Sequence, residues 1–219
     1  PARTYLEFDN ASTTEPPTVN AAVTMPSTSA DFSILGEGLV RLLSPFDWAG
    51  TITLSAGTLA LANDGQTAFN AKLKGRGTFR KEGAGVWTLS LLQPDFRGEF
   101  VVADGKVKPP ANYGVFGSGT LSVTNGGQIW NTTFSDSLSL KDREMHLAGR
   151  GPDGSGALRV DASVSLPKQV ILDGDTLISN KASVTLTMSG TTLNMNGHDL
   201  ELGMDTSTIS MTDVVVTNA

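Results

Sequence analysis

Cysteine is absent from the 219 residues, which excludes disulfide frameworks, cysteine–zinc sites and thiol nucleophiles. Charge is sparse too, with 16 basic against 22 acidic residues and a net charge of −6. A surface that tracks phosphates needs clustered Lys and Arg to release counterions, so nucleic acid is not expected as a partner. The acidic balance is enough to serve solubility. No stretch approaches the roughly 18 apolar residues of a membrane helix, so no membrane insertion by this segment is expected. No charged-then-apolar leader opens the chain; "PARTYLEFDNAS" reads as interior sequence, with targeting parts expected elsewhere. The lack of cysteine does not assign a compartment, because some secreted bacterial proteins that cross an outer membrane unfolded also lack it.

What the chain does contain is turn and strand chemistry. Ser and Thr number 45 and Gly 24, against few strong helix formers. Short strands broken by glycine are therefore the expected element. Ile52 and Leu54 alternate with Thr, Gly57 turns the chain, and Leu59 and Leu61 alternate again. Leu193 and Met195, the Asn196–Gly197 turn, then Leu200 and Leu202 repeat that arrangement near the C-terminus. The stretch from Ser137 to Gly149 has room for one helical turn, but Leu138 and Leu140 alternate as in a strand. Residues 1–31, proline-bearing and poor in bulky apolar side chains, are expected to form a loop-rich edge or cap. Residues 32–219 carry the repeating part.

Two internal repeats are visible. A Gly-x-Gly-x-apolar motif starts at Gly36, Gly75, Gly117 and Gly154, at spacings of 39, 42 and 37 residues. "WAGTITLSAGTLAL" from Trp48 also aligns with "FRGEFVVADGKVKP" from Phe96 at an offset of 48. That alignment pairs Gly50 with Gly98, Ile52 and Leu54 with Phe100 and Val102, and Gly57 with Gly105. Units of about 40 residues built from several short strands fit a solenoid or a propeller. The propeller's own signature is missing, and a 48-residue unit accommodates two solenoid coils of about 20 residues each, the remainder lying in loops. The expected fold is an all-β parallel β-helix with little or no α-helix.

The run "GRGTFRKEGAGVWTLS", then "FRGEFVVADGKV", then "GSGTLSVTNGGQI" resembles the passenger-associated repeat of bacterial autotransporters. Gly75, Gly77, Lys81, Gly83, Gly85, Thr88, Leu89 and Ser90 sit on that pattern, as do Phe96, Gly98, Gly105, Gly117 and Gly119. Lys106, Val107 and the "KPP" after them depart from it. The resemblance implies a right-handed parallel β-helix that is exported and exposed at the cell surface. It implies no particular activity, because such passengers include adhesins and enzymes alike.

Chemistry-bearing constellations are few. "GRGPDG" matches the dinucleotide fingerprint as text, but Pro152 and the strand-like "SGALRV" deny it the helix on which phosphate would sit, so no cofactor is expected. Asp173 and Asp175 form the densest carboxylate pair, with Lys168 nearby; Asp153 and Arg159 lie about one coil away along the chain. These residues are the catalytic candidates for a polysaccharide-active β-helix, with an acidic groove and a basic proton acceptor. "LDGDT" reads first as an ordinary acidic turn between strands, and that is the expected role. His146 and His198 are far apart, and neither carries a metal-ligand spacing, so no metal is expected. Trp48, Trp87, Trp130 and Tyr113 compose a sugar-stacking platform only if several face outward; packing at coil corners is the expected role. Asn180, Asn194, Asn196 and Asn218 are candidates for a polar ladder inside the coils.

The functional expectation is a non-catalytic stalk or adhesin segment of an exported bacterial surface protein. Its expected partners are cell-surface glycans or other copies of itself. A polysaccharide lyase or glycoside hydrolase, or a carbohydrate-binding module attached to one, is the alternative.

Overall fold

A computed structural model describes residues 31–43, 49–110, 114–132, 143–180, 183–203 and 205–219, together with the backbone strand Thr18–Val19. Trp48 and Tyr113, nearly all of segment 1–31, and residues 137–142 of the stretch weighed for a helical turn lie outside the described residues. Glu144–Gly149, the rest of that stretch, is a strand.

Among the described residues the chain is all-β without a helix, wound as a parallel β-solenoid of about eight turns. Every strand pairing is parallel. One 14-stranded sheet runs the length of the coil stack, and two 3-stranded sheets flank it. The first flanking sheet joins Phe32–Ile34, Thr51–Leu54 and Lys72–Gly75; the second joins Val164–Ser165, Thr185–Ser189 and Thr208–Thr212.

Parallel stacking places the same coil position of successive turns one strand spacing apart, about 4.8 Å. One inward row of the long sheet runs Val40, Leu59, Phe79, Phe100, Leu121, Met145, Val170, Leu193 and Val216. All of them are buried except Val216 in the last coil. The adjacent inward row runs Leu42, Leu61, Lys81, Val102, Val123, Leu147 and Leu172, with one lysine among aliphatic side chains. Aromatic rings thicken the core in the first half: Phe69 stacks on Trp87 at 5.6 Å, and Phe79 meets Phe100 at 5.2 Å. Phe96, which bridges to Gly75 at a coil corner, is wholly buried. That is the corner-packing role expected at its position.

The 48-residue register is overturned in its pairing. Ile52, Leu54, Phe100 and Val102 all point into the core. However, Ile52 and Leu54 lie in a flanking sheet and pair with Leu73 and Gly75, whereas Phe100 lies in the long sheet above Phe79 and Leu59. The structural repeat is the single coil, and its corner is built on a glycine column. A Cβ on Gly77 would collide with the Ala56 and Gly57 carbonyls, one on Gly98 with Gly77, and one on Gly119 with Gly98. Gly98 is thus the counterpart of Gly57, not of Gly50. Gly105 belongs to another corner, against Gly83 and Gly85, although Gly57 and Gly105 both have positive φ, at 55° and 64°. Gly75 and Gly117 share a corner through Leu54 and Phe96, but Gly154 precedes the strand Leu158–Val160 elsewhere in the coil.

The corner column sorts glycines by consequence. Gly98→Ala forces carbon onto backbone oxygen that cannot move without unstacking two coils, and we expect a loss of at least about 3 kcal/mol. Gly36→Ala meets open space at ordinary φ and is expected to stay within about 0.5 kcal/mol of wild type. Chemical denaturation of the two variants checks this; equal stabilities would dismiss the column as a constraint.

Candidate functional site

The outward row of the long sheet holds Ser122, His146, Ile171 and Asn194 on successive coils. Just past Ile171 the ladder slips: Leu147 pairs with Leu172 but Gly149 with Thr176, so Asp173, Gly174 and Asp175 stand opposite Ala148 alone. This bulge lifts both aspartates off the sheet. Their carboxylates are exposed, at 50% and 77%.

Each aspartate meets a histidine from a different neighbouring coil. His146 Nδ1 lies 2.9 Å from Asp173 Oδ2, and its Nε2 lies 2.8 Å from Glu144 Oε1. His198 Nδ1 lies 3.6 Å from Asp175 Oδ1, which also accepts the Asp199 amide at 3.1 Å. Desolvation pushes His146 down, but the bonds to Glu144 and Asp173 and their charges outweigh it, so its pKa is raised above the ordinary 6.5.

The other candidates go elsewhere. Lys168 accepts the Thr192 amide through its backbone carbonyl, and its side chain forms no ion pair among the described residues. Asp153 pairs with Lys106 at 2.7 Å and accepts the Ser155 hydroxyl. Partial burial pushes Asp153 up, yet Lys106 and Ser155 prevail and hold it at about 2. Arg159 pairs with Asp161 at 2.6 Å. Asp153, Arg159, Asp173 and Asp175 therefore each pair with a different group, and among the described residues none of the five candidates pairs with another.

Ser122, His146 and Asp173 align as a serine–histidine–aspartate series on consecutive coils, and Asp173 faces Nδ1 as an orienting carboxylate would. The nucleophile–base bond is not formed. Glu144 takes Nε2, and the Ser122 hydroxyl donates to Glu99 Oε1 at 2.5 Å. Both imidazole nitrogens face carboxylates, and neither is bonded to the Ser122 hydroxyl.

Trp87 is buried against Phe69 and contributes no sugar platform. Trp130 is half-buried and ringed by cations: Lys108 at 3.9 Å, Arg159 at 4.7 Å and Lys106 at 5.3 Å from its centroid. Its Nε1 donates to Asp161 Oδ2 at 2.8 Å. Lys108 comes from the preceding coil and Arg159 from the following one, so the indole ties coils together. Of the asparagines, Asn218 donates to Asn194 at 3.0 Å in a surface rung, while Asn196 reaches the Leu172 carbonyl and Asn180 binds Asp205. The interior amide ladder is not built.

Lys81 is the charge the core cannot leave unmatched. Its ammonium donates to the carbonyls of Gly83, of Gly85 at 2.7 Å and of Asp104 at 2.6 Å. Desolvation lowers its pKa to about 8 against the pull of Asp104 and Asp64, which leaves it a cation at neutral pH. Gln128 does similar work with an amide, donating to the Gly156 carbonyl at 2.7 Å.

Sequence reasoning found the two aspartates and missed their partners. The available signal was Glu144-x-His146, which strand alternation puts on one face. Family models, curated proteins and solved structures were all compared with the chain, and none matches it.

Removing the Lys81 ammonium takes a donor from three carbonyls, of which the buried Gly85 oxygen keeps the Lys106 amide, and leaves an unfilled polar corner, so Lys81→Met is expected to cost about 2–3 kcal/mol in urea unfolding. Lys81→Gln is expected to recover part of that loss, as Gln128 shows an amide can. A Met variant as stable as wild type would mean water replaces the ammonium.

Proposed function

We propose that this chain is a non-catalytic display segment, a stalk or adhesin, of an exported bacterial surface protein. The observation that carries the proposal is the unbroken inward row from Val40 to Val216, eight steps with no rung missing. At about 4.8 Å per step those rungs span about 38 Å and give the segment a stiff axis. The outward ion pairs support the same reading, because most join one coil to another: Arg41 to Glu82, Lys106 to Asp153, and Arg150 to Glu201. The resemblance to passenger-associated repeats is what suggests export and surface exposure. Cell-surface glycans or neighbouring copies of the chain are the partners that fit a rod with outward loops.

A polysaccharide-active enzyme is the second reading, favoured by the proton-holding group Glu144, His146 and Asp173 on a bulge. The two readings separate on a panel of acidic and neutral polysaccharides, with and without calcium, followed by absorbance of unsaturated products and by new reducing ends. Display predicts no turnover, with any glycan-array signal unchanged in Asp173→Ala. Turnover that disappears in Asp173→Ala would replace display with the enzyme.

A further inference from the structure

The chain has two histidines, and both converge on the Asp173–Gly174–Asp175 bulge, His146 from the coil before it and His198 from the coil after. The groups around His146 can be named from each neighbouring element. Its own strand supplies Glu144; the preceding coil supplies Ser122, committed to Glu99; the following coil supplies Ile171 and Asp173. The guanidinium of adjacent Arg143 is turned away to the Gly117 carbonyl. Among the described residues no Lys or Arg pairs with Glu144, Asp173 or Asp175, so the imidazoles are the cations available to these three carboxylates.

Imidazole chemistry then imposes a condition. A neutral ring carries one N–H, so only one of the two carboxylates on His146 receives a hydrogen bond and the other faces a lone pair. Imidazolium donates from both nitrogens and satisfies both. We propose that His146, bracketed by Glu144 on its own strand and by Asp173 on the bulge of the next coil, forms a proton-operated clasp between these coils, closed on the acid side and loosened as its imidazole loses its proton. His198 stands on the other side of the bulge, 3.6 Å from Asp175.

The direction of the linkage follows from the sign of the His146 shift. A histidine whose folded pKa is raised contributes stability that is fully present below the unfolded value of 6.5 and is lost as pH rises through the folded pKa. Deprotonation also leaves Glu144 and Asp173 without a shared cation.

Proton NMR titration of the folded 219-residue chain reads the clasp directly. Two imidazole signals are expected, assigned through His198→Gln, with the His146 midpoint above 6.5 and falling toward that value in Asp173→Asn. Thermal melting supplies an independent readout. At about pH 5.5 the wild type is expected to melt about 2–4 °C above His146→Gln, with that lead shrinking by about pH 8. A His146 midpoint at or below 6.5, or a melting difference that is the same at both pH values, overturns the clasp. The titration uses wild-type protein, so a poorly folding variant does not shelter the proposal.

Discussion

The constraint on which everything else depends is that each coil rests directly on the one before it, in parallel and in register. A side chain in such a stack has as its nearest neighbours the same positions one turn down and one turn up. Inward rows therefore become columns of one chemistry, because an aliphatic column excludes water only if every rung does. At the corners the same rule acts on the backbone. Where chain meets chain without room for a Cβ, one glycine forces the next, and Gly57, Gly77, Gly98 and Gly119 are four consecutive statements of that exclusion.

On the outer surface the stacking rule reverses its demand. Identical charges one spacing apart repel, and one outward row of the long sheet keeps two arginines apart with a small residue. Arg41 is followed in its row by Ala60 and then Arg80. The small side chain between them lets Arg41 pass upward to Glu82, whose carboxylate also receives Arg80 at 2.8 Å. Lys106 and Asp153, and Arg150 and Glu201, likewise reach across turns. Exposed pairs of this kind contribute little energy singly. Their value here is positional, since each one fixes the register of one coil on another. Lys81 shows the cost of the opposite case: a cation inside an aliphatic column persists because three carbonyls of the corner turn around it.

The rules that act within one strand were legible in the sequence, and those that act between coils were not. Alternation at Ile52 and Leu54, the glycine turns and a coil of about 20 residues all follow from local pattern. The error in the 48-residue offset came from a text match between Trp48-Ala49-Gly50 and Phe96-Arg97-Gly98. Aromatic-x-Gly suits more than one corner of a coil, so the match cannot say which corner it marks. The same limit applied to the candidate site. Asp173 and Asp175 are conspicuous because they lie two residues apart in sequence. Their partners lie 27 residues before Asp173 and 23 after Asp175, distances set by coil lengths that local pattern does not report.

Those coil lengths are not uniform, and their drift separates fold from function. From Val40 to Leu121 successive rungs fall 19 to 21 residues apart; from Leu121 to Val216 they fall 23 to 25 apart. The inward row is unchanged in character across this lengthening, so the added residues lie outside it. One place they go is the bulge that carries Asp173 and Asp175 away from the sheet. A stacked core tolerates insertion only where the chain leaves the ladder, and residues freed from the ladder are free to carry charge. Both histidines lie in the longer coils, His146 on the ladder itself beside the bulge, while the shorter coils hold the aromatic core and the glycine column. In this molecule the carboxylates of the bulge stand where the stacking rule is relaxed, against a histidine, His146, that keeps it.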